Sequence, residues 1–101
     1  MDTFVKFDSA KPATQLLPPR ALIEVSKVLE YGARKYAPNN WRNPGVSYSR
    51  YYGATLRHLF AFWNREEVDA ETELDHLSHA TTCLLFLLEL KLCELAEDDR
   101  P

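Results

Sequence analysis

Hydrophobic positions follow no helical period from Met1 to Pro19, and the prolines at 12, 18 and 19 interrupt any regular element, so residues 1–18 are expected to form an extended arm. A period of 3.6 begins at Pro19, a residue suited to the first turn of a helix, and runs through "PRALIEVSKVLEYGARKY". At about 100° per residue, Leu22, Val25, Val28, Leu29, Gly32 and Tyr36 fall on one stripe, and the helix should stop near Pro38. "APNNWRNPGVS" reads as a loop. A second helix is expected from Ser49, as its N-cap, to Trp63, with Tyr52, Leu56, Leu59, Phe60 and Trp63 as its apolar face. The polar link "NREEVDAE" then leads to a third helix starting near Thr72.

Beyond His79, "ATTCLLFLLELKLCELA" is apolar around most of its circumference, broken mainly by Glu89 and Lys91. The few neighbours that so short a chain supplies cannot wrap such a helix on all sides, which predicts a homodimer or homotetramer with this helix at the interface. The charged end, residues 96–101, is expected to fray. With no strand-like alternation and no internal repeat, the expectation is all-α: one domain over residues 1–101, a small bundle of three main helices with an N-terminal arm.

Composition narrows the function. The 101 residues are 46% hydrophobic and carry a net charge of −3, with lysines and arginines scattered, so no basic stripe exists to track polymeric nucleic acid. Cys83 and Cys93, ten positions apart on the expected helix and therefore roughly 15 Å from each other, read as core thiols of a reducing compartment. No apolar run approaches the roughly 20 residues of a membrane span or forms a signal sequence, so a cytoplasmic location is expected.

The candidate chemistry lies on helix borders. Glu24, Tyr31 and Lys35 share the edge of the first helix's stripe, and His58 lies with Tyr51 and Phe62 on the border of the second. On the third, Asp75, His76 and His79 project within about 100°, with Thr72 in the same sector, a pattern able to converge on a metal or a phosphate. Each has a bland alternative: a solvated helix border, or a hydrogen-bonded core histidine. Trp41, in a polar loop, either plugs the core edge or offers a stacking surface. Gly-rich phosphate loops, a serine elbow and CxxC pairs are absent from the sequence. Carboxylates and imidazoles projecting into a helical bundle point instead to a divalent cation and hydrolysis of a phosphate ester or anhydride.

The segments "FDSAKPATQLLPPRALIEVSKVLEYGARKYAPNNW", "LRHLFAFWNREEVDAET" and "HLSHATTCLLFLL", in that order, resemble the phage and bacterial family of dATP/dGTP diphosphohydrolases related to MazG-type nucleotide pyrophosphatases. The resemblance covers about Phe4 to Leu88. It implies an α-helical, MazG-like oligomer that cleaves a purine deoxynucleoside triphosphate between its α and β phosphates, using Mg²⁺ or Mn²⁺. In phages whose DNA carries 2-aminoadenine, similar enzymes supply dGMP to the pathway of the modified base. The positions of this chain that match are Glu24, Lys35, Asn40, Trp41, Arg57, His58, Asp69, Glu71, His76 and His79.

From that resemblance, Glu24, Glu71 and Asp75 are expected to hold Mg²⁺, with Mn²⁺ or Co²⁺ better tolerated if imidazole joins them. A carboxylate or His79 would serve as base, and Lys35 and Arg57 would neutralise the leaving pyrophosphate. Asn40 and Trp41 would bind the nucleotide, Trp41 by stacking, while His58 and His76 orient carboxylates or touch phosphate. Two departures stand out. The paired glutamates and ExxD of the MazG signature do not appear as written, so its ligands do not transfer directly. Where relatives tend to carry Gly and Pro before the first histidine, this chain has Glu73, expected to cap the third helix, and Asp75, which either joins the metal or caps as well. The competing classes are a His-Asp-type dNTP phosphohydrolase, although Asp75-His76 reverses that doublet, and a non-catalytic helical assembly protein.

Overall fold

The computed structural model describes residues 10–101. The expectation for the first nine residues of the arm lies outside that range, and between 10 and 18 the chain forms a single 3₁₀ turn, Thr14–Leu16. Helix α1 spans Pro19–Lys35, α2 Tyr48–Trp63 and α3 His76–Leu92, and a second 3₁₀ turn covers Asn40–Arg42. The described residues contain no strands, only two isolated bridges, so the all-α expectation holds. No helix among them is long and apolar enough to cross a membrane.

Proline starts α1, because Pro19 at its first turn forfeits no intrahelical bond and has its φ preset. The helix closes two residues before Pro38, where the Tyr36 N–H reaches the Gly32 carbonyl. α3 starts at His76, four residues later than expected, because Thr72–Asp75 belong to a tight turn. The His76 N–H is held by the Glu67 carbonyl at 2.9 Å.

α2 and α3 form the main packed pair, and α1 lies against α3. The contact is made by small residues: Thr55 on α2 and Ala80, Thr82 and Cys83 on α3 are buried, with Leu90 fully enclosed. Small side chains allow helix axes to approach closely, and the two threonines spend their hydroxyls on their own helices, Thr55 on the Tyr51 carbonyl and Thr82 on that of Ser78.

This packing corrects the expected apolar faces. The side of α2 turned to α3 carries Tyr51, Thr55, His58 and Phe62, which the sequence pattern placed on a border, while Tyr52, Phe60 and Trp63 are exposed, Trp63 by 85%. On α1, Val25 is buried but Leu22, Leu29 and Tyr36 are exposed. On α3, Leu84, Leu85, Leu88 and Leu92 stand outside. Cys93 is exposed at the C-cap of α3, so only Cys83 is a core thiol.

The charged tail is also corrected, since it docks instead of fraying. Glu97 pairs with the start of α2, its carbonyl taking the Tyr48 N–H at 3.1 Å and its N–H reaching the Val46 carbonyl at 2.9 Å. Asp99 then accepts both the N–H and the hydroxyl of Ser49, which makes it a helix N-cap supplied from fifty residues away. These bonds hold its carboxyl below the usual carboxylate range.

Because the folded pKa of Asp99 is depressed, its contribution to stability is complete above the unfolded value, near pH 4, and is lost as pH falls through the folded value. Asp99→Asn should therefore lower the thermal midpoint at pH 6 to 7, with the gap from the parent narrowing as pH falls below about 4 and through the depressed folded value. A gap that did not depend on pH across this range would mean that the carboxylate charge is not what caps α2.

Candidate active site

The loop between α2 and α3 shapes the site. After Arg65, whose φ of 66° turns the chain back, Val68 and Asp75 form an antiparallel bridge and the Asp69 N–H donates to the Leu74 carbonyl at 2.9 Å. Inside this small loop one atom, Asp69 Oδ1, accepts the N–H groups of Glu71 (3.0 Å) and Thr72 (2.9 Å) and the Thr72 hydroxyl (3.2 Å). Such side-chain capture of the following amides is the Asx-turn habit of aspartate. Glu73 completes the turn at φ 59°, its N–H on the Asp69 carbonyl at 2.8 Å. It is the left-handed corner and not a helix cap, which accounts physically for a glycine preference at this place.

The turn presents Glu71 to α1. Its Oε2 accepts the Tyr31 hydroxyl at 2.6 Å and Lys35 Nζ at 2.9 Å. The Tyr31 hydrogen bond, followed by that of Lys35, lowers the Glu71 pKa, and the same contacts raise those of Tyr31 and Lys35.

Behind it lie three imidazoles. His58 on α2 stacks on His79 with ring centroids 4.6 Å apart, and its Nδ1 is 2.9 Å from His76 Nδ1. His79 Nε2 is 2.7 Å from the Thr72 hydroxyl, and His76 Nε2 is 2.5 Å from Glu66 Oε2. Burial, ahead of the neighbouring imidazoles, depresses the pKa of His58, and burial depresses that of His79 against the pull of Asp69, so both rings are mainly neutral at pH 7. For Asp69, burial would raise the pKa, but the Thr72 and Glu71 donors outweigh it and the carboxyl lies below its ordinary value.

Of these groups all but His76 and Glu66 line an open cavity of about 1020 Å³, ample for a nucleotide. Lys35, Arg57, His58, Asp69, Glu71 and His79 face it, and Asn40 and Trp41 come from the loop after α1. One face of Trp41 is stacked on Phe86, 4.6 Å between centroids and 8° from parallel, so the indole is tied to the core edge while still bordering the cavity. Arg57 is exposed.

The expected carboxylate set for a metal does not converge. Glu24 is bonded to Lys27 at 2.8 Å and lies about 16 Å along α1 from Lys35, eleven residues at helical rise. Asp75 occupies the N-cap position of α3 without a side-chain capping bond, and neither residue lines the cavity. Of the three, only Glu71 is on the wall. For a hard ion such as Mg²⁺ the carboxylates lining the cavity are Glu30, Asp69, Glu71 and Glu89; of these Asp69 and Glu71 belong to one turn, which suits an ion that completes its shell with substrate phosphates and water. The signal missed in the sequence is Asp69-x-x-Thr72, a spacing diagnostic of an Asx turn; the pairing of Glu66 with His76 had no local signal.

Residues 2–100 match the family described as "dATP/dGTP diphosphohydrolase, N-terminal". A dATP/dGTP diphosphohydrolase of Salmonella phage PMBT28 is 36% identical over 98 residues, which are 97% of this chain and 33% of that protein. The chain thus spans about a third of the length of the curated relative it matches. No solved structure matches.

Glu73→Gly should stabilise the fold by roughly 0.5–1 kcal/mol, because relief of the left-handed strain exceeds the added flexibility of the unfolded chain. Glu73→Val, β-branched at the same φ, should destabilise it. Chemical denaturation midpoints test both, and a lower midpoint for the glycine variant would show that the Glu73 side chain has a stabilising role of its own.

Proposed function

The chain belongs to the family of dATP/dGTP diphosphohydrolase N-terminal regions, and on that premise we propose that it hydrolyses a purine deoxynucleoside triphosphate, dGTP or dATP, to the monophosphate and pyrophosphate. The observation that carries this reading is that Lys35, Arg57, Glu71, His79 and Trp41 line one cavity, with Lys35 bonded to Glu71. Lys35 and Arg57 offer positive charge to the β and γ phosphates, where charge builds up as the α–β bridge breaks. Tyr31 and Lys35 fix the Glu71 carboxylate, so its direction is set before substrate arrives. Asp69 and Glu71 would hold a Mg²⁺ or Mn²⁺ together with the phosphates, and such an ion supplies Lewis-acid polarisation and a more acidic water. His79, braced by Thr72 and stacked on His58, is the base this reading assigns, and Trp41, with Phe86 stacked on its ring and the Arg42 guanidinium 5.3 Å from the ring centroid, would stack on the purine in place of Arg42. In a phage with 2-aminoadenine DNA, the dGMP formed would feed the modified base.

A second reading has its own observation: His58, Asp69 and His76 cluster as histidines and a carboxylate do in His-Asp phosphohydrolases. The products separate the two. Incubation of dGTP and dATP with the chain and Mg²⁺ or Mn²⁺ should give monophosphate and pyrophosphate, whereas nucleoside and inorganic triphosphate would establish the second reading and no turnover would leave an assembly role. Lys35→Ala should reduce kcat by about 100-fold. Trp41→Ala should raise KM more than it lowers kcat, and an unchanged KM would reduce Trp41 to a plug on Phe86.

The MazG-like arrangement proposed here also includes association between copies of the chain, supported by the row of exposed leucines on α3. Light scattering at about 50 µM should give a dimer or tetramer, and Leu88→Glu, at a side chain already 54% exposed, should yield a folded monomer. A parent protein that scatters as a monomer at that concentration would overturn the association.

A further inference from the structure

We propose that His58, Asp69 and His76 form a protein-only site for a first-row transition ion such as Mn²⁺, Fe²⁺ or Co²⁺, occupied before any nucleotide arrives. The three come from α2, from the loop after it and from the first residue of α3, and one donor atom of each lies within 4.8 Å of the other two. Ligand atoms about 2.1 Å from an ion stand roughly 3 Å apart when adjacent and about 4.2 Å apart when opposite. The 2.9 Å between His58 Nδ1 and His76 Nδ1 is already the adjacent spacing, and small side-chain rotations bring in the carboxylate.

At present that 2.9 Å gap is spanned by one shared hydrogen, since two unprotonated ring nitrogens would repel across it. On binding, an ion would take that place while the displaced proton is exchanged through solvent to the far nitrogen of the same ring, which keeps the ring neutral and leaves each Nδ1 lone pair for the ion. The surroundings favour this exchange. Glu66 Oε2, 2.5 Å from His76 Nε2, supplies the carboxylate behind a ligating imidazole that orients such rings. Asp69 Oδ1 is committed to the turn by three donors, and Oδ2 takes none of those bonds. His58 and Asp69 line the cavity while His76 is buried behind them, so the remaining coordination positions of the ion would open toward the cavity.

The donor chemistry sets the selectivity. Two imidazoles and one carboxylate suit Mn²⁺, Fe²⁺ and Co²⁺ far better than Mg²⁺, which prefers oxygen alone. The site shares Asp69 with the Asp69–Glu71 pair assigned to Mg²⁺ above but, unlike that pair, needs no phosphates to complete it, and it stands whether or not the chain hydrolyses a nucleotide.

The test is titration of the purified chain with Co²⁺ in the absence of nucleotide, read by visible d–d absorption and by calorimetry. One ion per chain is expected, undisturbed by a tenfold excess of Mg²⁺. His58→Gln and Asp69→Asn should each weaken binding at least tenfold with the circular dichroism spectrum preserved. Glu66→Gln, behind His76, should weaken it about 10- to 100-fold. Glu24→Gln and Asp75→Asn should leave it unchanged. Absence of saturable binding, equal competition by Mg²⁺, or indifference to His58→Gln in a folded variant would overturn the site. Failure to turn over dGTP or dATP would touch only the diphosphohydrolase reading.

Discussion

One carboxylate oxygen sets the geometry on which the site depends. Asp69 Oδ1 gathers two backbone amides and a hydroxyl within three residues, and the loop that would otherwise be a flexible link becomes a compact turn. From that turn Glu71 points toward α1 and the Thr72 hydroxyl toward His79, while the Glu67 carbonyl fixes the first amide of α3. Singly, bonds of this kind contribute little to stability. Their effect lies in shape, because they fix the starting point of α3 and hence the angular positions of His76 and His79.

The cost of this arrangement is visible in the core. Burying imidazoles at a helix interface is unfavourable unless their ring nitrogens find partners, and here the partners are another imidazole, a threonine and one acid, Glu66. Every buried side-chain polar atom among the described residues is hydrogen-bonded. In exchange the α2–α3 contact is made largely from threonines, alanine and a cysteine, and Leu84, Leu85, Leu88 and Leu92 of α3 are turned outward while Leu90 is enclosed. A helix pair that gives its interface to polar chemistry keeps its apolar surface for another contact, which is the physical basis for the proposed association.

α1 joins the site through few but directed contacts. Its apolar packing is thin, with Val25 its only buried side chain, yet Tyr31 and Lys35 converge on Glu71 from the same face one turn apart. The tail reinforces the opposite end of the structure, where Asp99 caps α2. Two carboxylates distant in sequence from the groups they hold, Glu71 at the end of α1 and Asp99 at the start of α2, thus fasten opposite parts of the structure.

Local pattern in the sequence was sufficient for three helices, for their order and for the positions of α1 and α2 to within a residue or two, because helix formation answers to periodicity and caps that lie within a few residues. It also sufficed for the family motifs, which are short and ordered along the chain. The faces and the ion ligands were decided by tertiary structure. Glu24, Tyr31 and Lys35 share a helix edge, and only the Asp69 turn determines that Tyr31 and Lys35 meet Glu71 while Glu24 stays with Lys27. Asp75, adjacent to His76 in sequence, turns to the helix end, whereas His58, eighteen residues away, comes within 2.9 Å of it. Left-handed residues at Arg65 and Glu73 and a close contact between small side chains produce that meeting, and neither leaves a period in the pattern of hydrophobic positions.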